Sequence, residues 1–338
     1  MLVLGIETSC DESSAALVRD GRELVSNVVS SQVDLHRAYG GVVPEIAARA
    51  HVETIVPVIK EAIGTVASKP DLVAVTVGPG LVGSLVVGVS AAKGLSWSWG
   101  VPLVGINHLE AHAFACALEG NQPEYPYLSL VVSGGHTLLA EVRGVDEMEI
   151  VGETLDDALG EAFDKVSRYL GLGYPGGPVI ENLAGDGDPG AIRFPRPMIS
   201  SGDYNFSLSG LKTAVIRYME KVQREGSVPE ARDVAASFQA AALEVVVKKT
   251  VRAATERGLG AVVMGGGVAC NRALRGWMEE ECGAAGLSLH CPSSGLCTDN
   301  GAMVAALGYM RYLKGYRSGL KADVSANLRL GEPVPDGT

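Results

Sequence analysis

The feature that most constrains the fold is an internal repeat, because the same succession of short apolar runs and turns occurs twice. In the first copy, the apolar run 2–6 is followed by the polar turn TSCDESS, then by SAALV, a turn at Asp20-Gly21, and ELVSNVV. The second copy, 127–149, contains YLSLVV, the turn SGGHT, LLAEVRG and MEIVG in the same order. Such runs, separated by tight turns, predict three antiparallel strands in each copy.

Each group of strands is followed by a helical pattern and a further strand, at 44–63 and 72–77 in the first copy and at 155–170 and 261–264 in the second. This succession predicts an α/β protein with two duplicated halves and a central cleft for a ligand. We expect the N-terminal half to cover 1–121 and the C-terminal half 122–338. An insertion at about 191–224 begins with several prolines and then becomes helical.

The composition is that of a folded globular protein. Hydrophobic residues make up 47% and charged residues 20%, which argues against disordered, fibrous and coiled-coil chains. The 43 glycines among 338 residues favour many tight turns or close approaches of the backbone to a small ligand. Because the net charge is -11, the whole molecule is not a general binder of nucleic acid, and any RNA contact must be local.

Nothing in the sequence predicts export or membrane insertion, and we expect a cytoplasmic protein that binds no membrane. The N-terminus lacks the basic region of a signal peptide. Residues 72–92 carry no charge, but Gly78-Pro79-Gly80 divides them into a short strand and a helix, as expected for a buried core segment. The six cysteines form no C-x-x-C pair, so we expect reduced thiols.

Two histidines, His108 and His112, lie four residues apart at the start of a predicted helix in NHLEAH. This spacing places both imidazoles on one helix face, where they can bind one metal ion, although such pairs are also common without a metal. Asp299 in CTDNG is the leading third ligand by residue type, and its alternative role is the N-cap of the helix 301–313. Glu110 faces away from both histidines, so a salt bridge or partner contact is its better interpretation. A zinc protease would carry its glutamate directly after the first histidine.

Three glycine-rich segments are candidates for nucleotide loops. The segment 78–83 fits G-x-G-x-x-G but lacks the acidic residue about 20 positions later, which favours tight strand-to-helix packing instead. The segment 133–137, SGGHT, either exposes its amides to an anion or simply forms a hairpin turn. The segment 265–271, GGGVACN, precedes a helix where phosphate or adenosine could approach the backbone. Asn271 could then read a base or cap that helix.

Together these segments resemble the TsaD family, the bacterial branch of the universal tRNA threonylcarbamoyladenosine proteins. The matching motifs, in chain order and over nearly the whole sequence, are GIETSCDES, GGVVPEIAARAH, GPGLVGSLVVG, NHLEAH, VSGGHT, GEAFDKV, YPGGPVIE, FSLSGLKT, GGGVACN and CTDNG. The resemblance implies the ASKHA fold, the duplicated α/β architecture of actin, sugar kinases and heat-shock chaperones. It also implies transfer of a threonylcarbamoyl group from threonylcarbamoyl-adenylate to N6 of adenosine 37, just 3′ of the anticodon, in tRNAs that read ANN codons.

By this resemblance, His108, His112 and Asp299 match the metal ligands of the family. The expected ion is one divalent metal per subunit, Fe2+ by preference and Zn2+ as the alternative. Two histidines and one carboxylate leave coordination positions open for substrate oxygens. The resemblance also assigns Asp11 and Glu12, in the first hairpin, to the acidic pair that the family carries there, which makes them the catalytic candidates.

The resemblance further implies a substrate loop and an adenylate site, whose matching positions are Val131, Val132, Ser133, Gly134, Gly135, Asp164, Gly177, Glu181 and Asn271. Glu181 stands where many relatives carry aspartate, and Asp164 could alternatively be an exposed carboxylate of an amphipathic helix. The bound ligand would be threonylcarbamoyl-adenylate or an adenine nucleotide. Because the amine attacks an already activated mixed anhydride, positioning and charge stabilisation suffice without a nucleophilic cysteine.

The implied partners are tRNA, a TsaB-like paralogue, a TsaE-like ATPase, and a TsaC-type synthase that makes threonylcarbamoyl-adenylate. We expect the TsaB-like partner to dock on N-terminal helices such as 44–63. The insertion 191–224 carries six basic and two acidic residues, interleaved with Phe194, Tyr204 and Phe206. This pattern predicts binding to RNA phosphates and stacking of an unpaired base, or alternatively a solvated helix with aromatics packed beneath.

Three other functions remain open from the residues alone. An ASKHA-fold ATPase or kinase would use the glycine-rich loops but gives the histidine pair no purpose. A metalloprotease is disfavoured by the position of Glu110. A non-catalytic nucleotide-binding scaffold could hold a metal ion structurally. Measurement of bound metal and of ATP hydrolysis would separate these functions.

Overall fold

The computed structural model describes residues 1–226 and 228–335, which form two compact units. The first unit contains Met1–Tyr125, Val142–Glu149 and the C-terminal segment from His290 onward. The second contains Pro126–Glu141 and Ile150–Leu289. Two segments of the predicted C-terminal half, Val142–Glu149 and the segment from His290 onward, thus fall in the first compact unit.

Within residues 1–226 and 228–335, ten strands form two five-stranded sheets. The strands are β1 (Leu2–Glu7), β2 (Glu12–Arg19), β3 (Glu23–Ser31), β4 (Leu72–Gly78), β5 (Leu103–Asn107), β6 (Tyr127–Val132), β7 (Thr137–Gly144), β8 (Glu147–Glu153), β9 (Ala261–Gly265) and β10 (Ser288–His290). The first sheet has the order β3-β2-β1-β4-β5, and the second has β8-β7-β6-β9-β10. The two orders correspond strand by strand, so the predicted repeat is confirmed.

Eleven α-helices accompany the strands in the described part of the chain. They are α1 (Val33–Arg37), α2 (Pro44–Ile63), α3 (Val82–Trp99), α4 (His108–Ala113), α5 (Leu159–Tyr169), α6 (Gly176–Ala184), α7 (Ser209–Arg224), α8 (Ala231–Glu256), α9 (Arg272–Ala284), α10 (Ser294–Cys297) and α11 (Gly301–Leu313). Short 3-10 turns occupy Ala115–Glu119 and Gly267–Cys270. No helix in this part of the chain is long and apolar enough to cross a membrane.

The centre of the first sheet explains why its strands are so apolar. β1 pairs antiparallel with β2, Gly5 opposite Ala16, and parallel with β4, Val3 opposite Leu72. Every residue of β1 and β4 is buried, as expected for strands covered on both faces. The uncharged segment 72–92 forms β4, which is buried throughout, and the first part of α3. The prediction as core is confirmed for β4 and the inner face of α3, whereas Val82 and Val86 on the outer face of α3 are exposed.

The helix α11 covers β1 at a point where the helix and the strand each carry a glycine, because neither position has room for a side chain. A Cβ added at Gly5 would overlap the carbonyl oxygen of Gly301 and lie 2.6 Å from the amide nitrogen of Ala305. The amide of Gly301 also donates a hydrogen bond of 2.8 Å to Ser14 Oγ on β2. The two glycines thus set how closely the C-terminal helix approaches the sheet.

We therefore expect the substitution Gly5→Ala to lower the free energy of unfolding by about 2–3 kcal/mol, since backbone must move to admit the methyl group. Gly94→Ala in α3 is the matched control, because a Cβ there meets no heavy atom within 4 Å. The control should raise stability by up to about 1 kcal/mol, the helix propensity of alanine over glycine. Urea unfolding of both variants measures this, and equal effects at the two sites would contradict the packing argument.

The insertion 191–224 is irregular up to residue 208 and continues as α7, as predicted. Its aromatic residues do not form a stacking surface. Phe194 and Phe206 are buried, and the Tyr204 hydroxyl donates a hydrogen bond of 2.6 Å to Glu256. Of the two alternatives for these phenylalanines, stacking of an unpaired base is wrong and packing beneath the insertion is confirmed, because both side chains form part of the core.

Asp156, which precedes α5, holds the start of α7 by hydrogen bonds within the second unit. Its carboxylate accepts hydrogen bonds from the amides of Leu208 and Ser209, at 2.8 and 3.2 Å, and from the Ser207 hydroxyl at 2.6 Å. Partial burial alone would raise the pKa of Asp156, but these hydrogen bonds outweigh it and hold the pKa below the usual 3.8. The ionised carboxylate therefore stabilises the native insertion.

We expect Asp156→Ala to destabilise the protein by about 1 kcal/mol at pH 7, the usual effect of losing a helix-capping side chain. A carboxyl with a lowered native pKa contributes stability above its unfolded pKa and loses it as pH falls through the native value. The difference between the variant and the wild type should therefore shrink below about pH 4. Urea unfolding between pH 7 and pH 3 tests this, with the exposed Asp186→Ala as control; a constant difference would contradict it.

Candidate metal centre and glycine-rich loops

The two candidate histidines lie on a short helix that begins directly at the end of a strand. Asn107 is the last residue of β5 and the N-cap of α4, and its Oδ1 accepts a hydrogen bond of 2.9 Å from the amide of Leu109. His108 and His112 follow on α4, and both are buried. Their ring centroids are 4.7 Å apart. The predicted common face of the two imidazoles is therefore present.

Asp299 completes a cluster with these histidines in the first unit. Its Oδ1 lies 3.1 Å from His112 Nε2 and 3.6 Å from His108 Nε2. One ligand atom from each of the three residues lies within 4.8 Å of the others. The alternative role of Asp299 as the N-cap of α11 is wrong, because Asn300 is that cap and accepts from the amide of Met303.

The donor set of this cluster fits a divalent transition metal. Imidazole nitrogens with one carboxylate oxygen are ligands that iron and zinc accept. Burial alone would lower the pKa of His108, but the carboxylates of Asp299 and Glu7 together raise it to about 9. The two carboxylates therefore favour positive charge at this cluster, as a cation site requires.

Glu7, at the end of β1, holds the other side of the His108 ring. Its Oε2 lies 3.0 Å from His108 Nδ1 and accepts a hydrogen bond of 2.6 Å from the Thr76 hydroxyl. Its Oε1 accepts from the amide of Ser9. Burial alone would raise the pKa of Glu7, but the charge and hydrogen bonding of His108 outweigh it and lower that pKa. Glu7 is therefore an ionised carboxylate with no exposed surface.

The predicted catalytic acids lie in the first hairpin, with Asp11 at the end of the turn after β1 and Glu12 as the first residue of β2. Burial, together with the carboxylates of Asp299 and Asp11, raises the pKa of Glu12 well above its usual value. Burial and the same neighbouring carboxylates also raise the pKa of the Cys10 thiol well above its usual value. A thiol that stays protonated is a poor nucleophile, so Cys10 is not a candidate for covalent catalysis.

His51 of α2 fastens this acidic hairpin. Its Nε2 donates a hydrogen bond of 2.9 Å to the carbonyl of Cys10. Burial lowers the pKa of His51 and so favours the neutral ring, whose Nδ1 accepts a hydrogen bond of 2.7 Å from the Ser13 hydroxyl. The histidine that closes the motif GGVVPEIAARAH is therefore a structural link between α2 and the hairpin that carries Asp11 and Glu12.

Glu110 faces away from the histidines and forms a buried ion pair with Arg311 of α11, which confirms the predicted salt bridge. Its Oε1 also accepts a hydrogen bond of 2.8 Å from the amide of Gly331. Asn107 Nδ2 donates to the carbonyl of Arg329 at 3.0 Å. The C-terminal segment thus fastens α4 from the side opposite the metal cluster. Because Glu110 is committed to Arg311, it cannot serve as the base of a zinc protease.

The second unit contains the predicted substrate loop at the end of β6. Val131 and Val132 are buried, whereas Gly134 and Gly135 are exposed, and a Cβ at either glycine would meet no heavy atom within 4 Å. Ser133 shapes the turn, because its amide donates to the carbonyl of His136 at 2.8 Å. The loop therefore presents open backbone, on which an anion could be bound.

Two close backbone contacts hold this loop from neighbouring elements. The amide of Gly160, near the start of α5, donates to the carbonyl of Ser133 at 3.2 Å, and a Cβ there would lie 2.7 Å from that oxygen. Gly266 has a φ of 93° and lies against the carbonyl of Val132 too closely for a side chain. The segment GGGVACN is thus packed directly beside the predicted substrate loop.

The remaining predicted residues surround α6 and the start of α9. Asp164 Oδ1 accepts a hydrogen bond of 2.6 Å from the amide of Gly176, and the next residue, Gly177, has open space at its Cβ position. Glu181 accepts from Arg272 through the backbone amide at 3.0 Å and through Nε at 2.7 Å. The structure therefore brings these positions together within the second unit.

Asn271 is the N-cap of α9, with Oδ1 accepting from the amide of Leu274 at 2.9 Å. Its Nδ2 donates to Gln239 Oε1 at 3.0 Å. The capping alternative from the sequence is therefore observed, and both polar atoms of the side chain already have protein partners.

Two contacts of the site were missed by the sequence analysis: Glu7, which contacts His108, and His51, which holds the acidic hairpin. Glu7 gave a usable signal, because a carboxylate that ends a wholly apolar strand is buried and needs a partner there. His51 gave none, since a histidine within an amphipathic helix is unremarkable and its partners lie 41 and 38 positions away.

The family described as TsaD, tRNA N6-adenosine threonylcarbamoyltransferase, matches residues 23–306. A tRNA N6-adenosine threonylcarbamoyltransferase of Geobacter sulfurreducens is 53% identical over 336 residues, covering 98% of this chain and 97% of the relative. That of Syntrophotalea carbinolica is 50% identical over 337 residues, covering 99% and 97%.

Solved structures show the fold. Component A of (R)-2-hydroxyglutaryl-CoA dehydratase from Acidaminococcus fermentans superposes with a TM-score of 0.55 over 94% of this chain and 100% of that one, at 18% identity. At this identity the likeness concerns the fold alone. Together with the duplicated sheet order, it confirms the predicted ASKHA architecture.

Proposed function

The chain belongs to the TsaD family of tRNA N6-adenosine threonylcarbamoyltransferases, and from this membership we propose that it transfers a threonylcarbamoyl group from threonylcarbamoyl-adenylate to N6 of adenosine 37 in tRNAs that read ANN codons. The observation that carries the proposal is the cluster of His108, His112 and Asp299, at the positions of the NHLEAH and CTDNG motifs. A kinase of the same fold has no need of such a cluster. The proposal places the reaction in the cytoplasm, with the tRNA.

The three clustered residues would hold one divalent ion, Fe2+ by preference and Zn2+ as the alternative. When bound, the ion supplies Lewis-acid stabilisation of oxygen atoms that gain negative charge. His108 and His112 offer Nε2 and Asp299 offers Oδ1, which are the atoms that face one another in the cluster. The buried histidines exclude water from this side of the site.

The chemistry needs no covalent enzyme intermediate. The adenosine amine attacks the carbonyl carbon of the mixed anhydride, the bond from that carbon to the phosphate oxygen breaks, and AMP leaves with the electron pair. The amine nitrogen gives up one proton. A raised pKa favours the protonated form of Glu12, so we assign acceptance of this proton to Asp11. Glu12 in its protonated form can donate a hydrogen bond to the substrate.

In the second unit, we propose that 131–135 binds the phosphate side of the adenylate through the open backbone of Gly134 and Gly135. Asp164 and Gly177 would line the adenosine, and Glu181 would accept a ribose hydroxyl through Oε2, since Arg272 engages Oε1. Asn271 would shape the loop rather than read the base, because its amide is engaged by Leu274 and Gln239.

The insertion supports an RNA contact through charge. Arg217, Lys221 and Arg224 are exposed on α7 at a spacing of four and three residues, which places them along one helix face. We propose that this basic stripe contacts tRNA phosphates, since it concentrates positive charge in a chain of net charge -11.

Replacing all three residues of the basic stripe by alanine should raise the KM for tRNA and leave kcat nearly unchanged. If each side chain neutralises one phosphate, the magnitude of the negative slope of log affinity against log salt concentration should decrease by about 2–3 in the variant, since each contact contributes about 0.7–0.9. The matched control is the triple alanine variant of three exposed basic residues in the first unit, Arg22, Arg37 and Lys60. An equal change in both triple variants would assign the effect to overall charge.

Protein partners are also proposed. The exposed sides of α2 and α3 form an apolar surface patch, which is typical of a protein interaction site. Its side chains are Val52, Val56, Val82 and Val86. We propose this surface as the docking site of the TsaB-like paralogue. A TsaE-like ATPase and a TsaC-type synthase would act with the pair, the synthase as the source of threonylcarbamoyl-adenylate.

The test is nucleoside mass spectrometry of tRNA from bacteria that are depleted of their own transferase and supplied with this protein or its His112→Ala variant. We expect N6-threonylcarbamoyladenosine with the wild type and its absence with the variant. If the folded wild type restores none, the assay is repeated in vitro with the chain's own partners and threonylcarbamoyl-adenylate. Failure there as well overturns the proposed function.

A further inference from the structure

We infer that Glu7 is a positioning residue for the metal centre, because it holds His108 in the one ring orientation and tautomer that leaves Nε2 available as a ligand. The inference rests on the metal role given to His108 in the proposed function. Glu7 lies outside the cluster itself and makes none of the contacts that define it.

The geometry places the Glu7 carboxylate behind the imidazole. His108 Nδ1 lies 3.0 Å from Glu7 Oε2, while Nε2 of the same ring lies 3.6 Å from Asp299 Oδ1. Both oxygens of this carboxylate accept hydrogen bonds, Oε1 from the Ser9 amide and Oε2 from the Thr76 hydroxyl, so the group acts as an acceptor and Nδ1 must carry the hydrogen. In the neutral ring, Nε2 is then the nitrogen with the lone pair, and it points toward the other two ligands.

The carboxylate is itself held in place. Thr76 on β4 and the amide of Ser9 each donate to it, one to each oxygen. Its position at the buried end of β1 gives it little freedom to turn away from the ring. A carboxylate with no exposed surface is costly unless it is paired, and this one is paired directly with a proposed metal ligand.

The second histidine lacks such a partner. Among residues 1–226 and 228–335, no group hydrogen-bonds to the buried Nδ1 of His112. The two histidines are therefore unequal: His108 is oriented by a charged group and His112 by packing. Metal-ligating histidines usually donate their second nitrogen to a carboxylate or carbonyl, and loss of that partner typically weakens metal binding by about 10–100-fold.

The experiment measures Zn2+ affinity of the full chain by competition with a chromophoric chelator, for the wild type, Glu7→Gln, Glu7→Leu and Thr76→Val. We expect Glu7→Leu to weaken Zn2+ binding by about 10–100-fold and Glu7→Gln by less, since the amide oxygen can still accept from Nδ1. Thr76→Val removes a donor to the same carboxylate without touching His108 and should change the affinity by less than about 3-fold. The thermal midpoint of each metal-free variant reports any loss of folding separately.

A second measurement needs no variant. In Zn2+-loaded wild type, ring-nitrogen NMR should assign His108 as the tautomer with hydrogen on Nδ1. Folded Glu7→Leu that binds Zn2+ as tightly as the wild type, or a His108 ring with hydrogen on Nε2, overturns the inference. Both readouts are independent of tRNA, so a wild type that binds Zn2+ as expected but forms no threonylcarbamoyladenosine overturns the proposed function and leaves the role of Glu7 standing.

Discussion

Replacing Asp299 by alanine is expected to abolish metal binding and to lower the rate of threonylcarbamoyl transfer by at least about 100-fold. Loss of a residue that only hydrogen-bonds to a metal ligand typically costs about 10–100-fold, and loss of a ligand itself should cost more. Asp299 is the one carboxylate of the cluster, and its Oδ1 lies within 3.6 Å of both histidines. Without it, two imidazoles remain, which is too few for a tight site. Metal content per chain and turnover under single-turnover conditions are the measurements.

The matched control is Asp323→Ala, an exposed aspartate in the same unit, which should keep both metal and activity. Removal of the metal from the wild type with a chelator should reproduce the loss in Asp299→Ala, and readdition of Fe2+ or Zn2+ should restore only the wild type. An Asp299→Ala variant that is folded, free of metal and fully active would contradict a role for the ion in transfer.

The substitution Arg311→Met is expected to lower the free energy of unfolding by about 3–5 kcal/mol, because it leaves the Glu110 carboxylate buried without its counter-charge. Glu110 is 1% exposed and Arg311 is 8% exposed. Burial already raises the pKa of Glu110 even with Arg311 beside it, so loss of the guanidinium should favour the protonated acid further. Urea unfolding measures the effect.

The double substitution Glu110→Gln with Arg311→Met should recover part of the loss, since no unpaired charge then remains in the core. Arg317→Met is the control, because Arg317 is exposed and stacks on the ring of Tyr312. Its effect should stay below about 1 kcal/mol. If Arg311→Met is as mild as the control, the ion pair does not stabilise α4.

Much of the fold could be predicted from the sequence, because the strands and helices of the repeat depend on patterns of neighbouring residues. Apolar runs and turns gave the strands, and helical periodicity gave α2 and α11 with the observed bounds of 44–63 and 301–313. The pairing of His108 with His112 is also local, since both lie on α4. The direction of Glu110 follows from helix geometry alone.

The parts that could not be predicted depend on distant residues. Which arginine pairs with Glu110, and which acid lies behind His108, are set by packing across 201 and 101 positions of sequence. The sequence left open whether Phe194 and Phe206 stack a base or pack beneath the insertion, because an aromatic residue in a basic segment looks the same in sequence whether it packs inward or outward. Asp299 was assigned by residue type, and only the fold shows that Asn300 is the cap beside it.

The return of the C-terminal segment to the first unit has a consequence for synthesis on the ribosome. The histidines are made early, but Asp299 follows 187 positions after His112, and α11, which covers β1, follows Asp299 directly. A nascent chain that has emerged only up to residue 289 therefore has neither the third ligand nor the cover of its first sheet. At the proposed metal site, an ion could be held by all three ligands only after Asp299 has emerged, and it would then close a loop of almost two hundred residues and stabilise the chain that contains both ends of that loop.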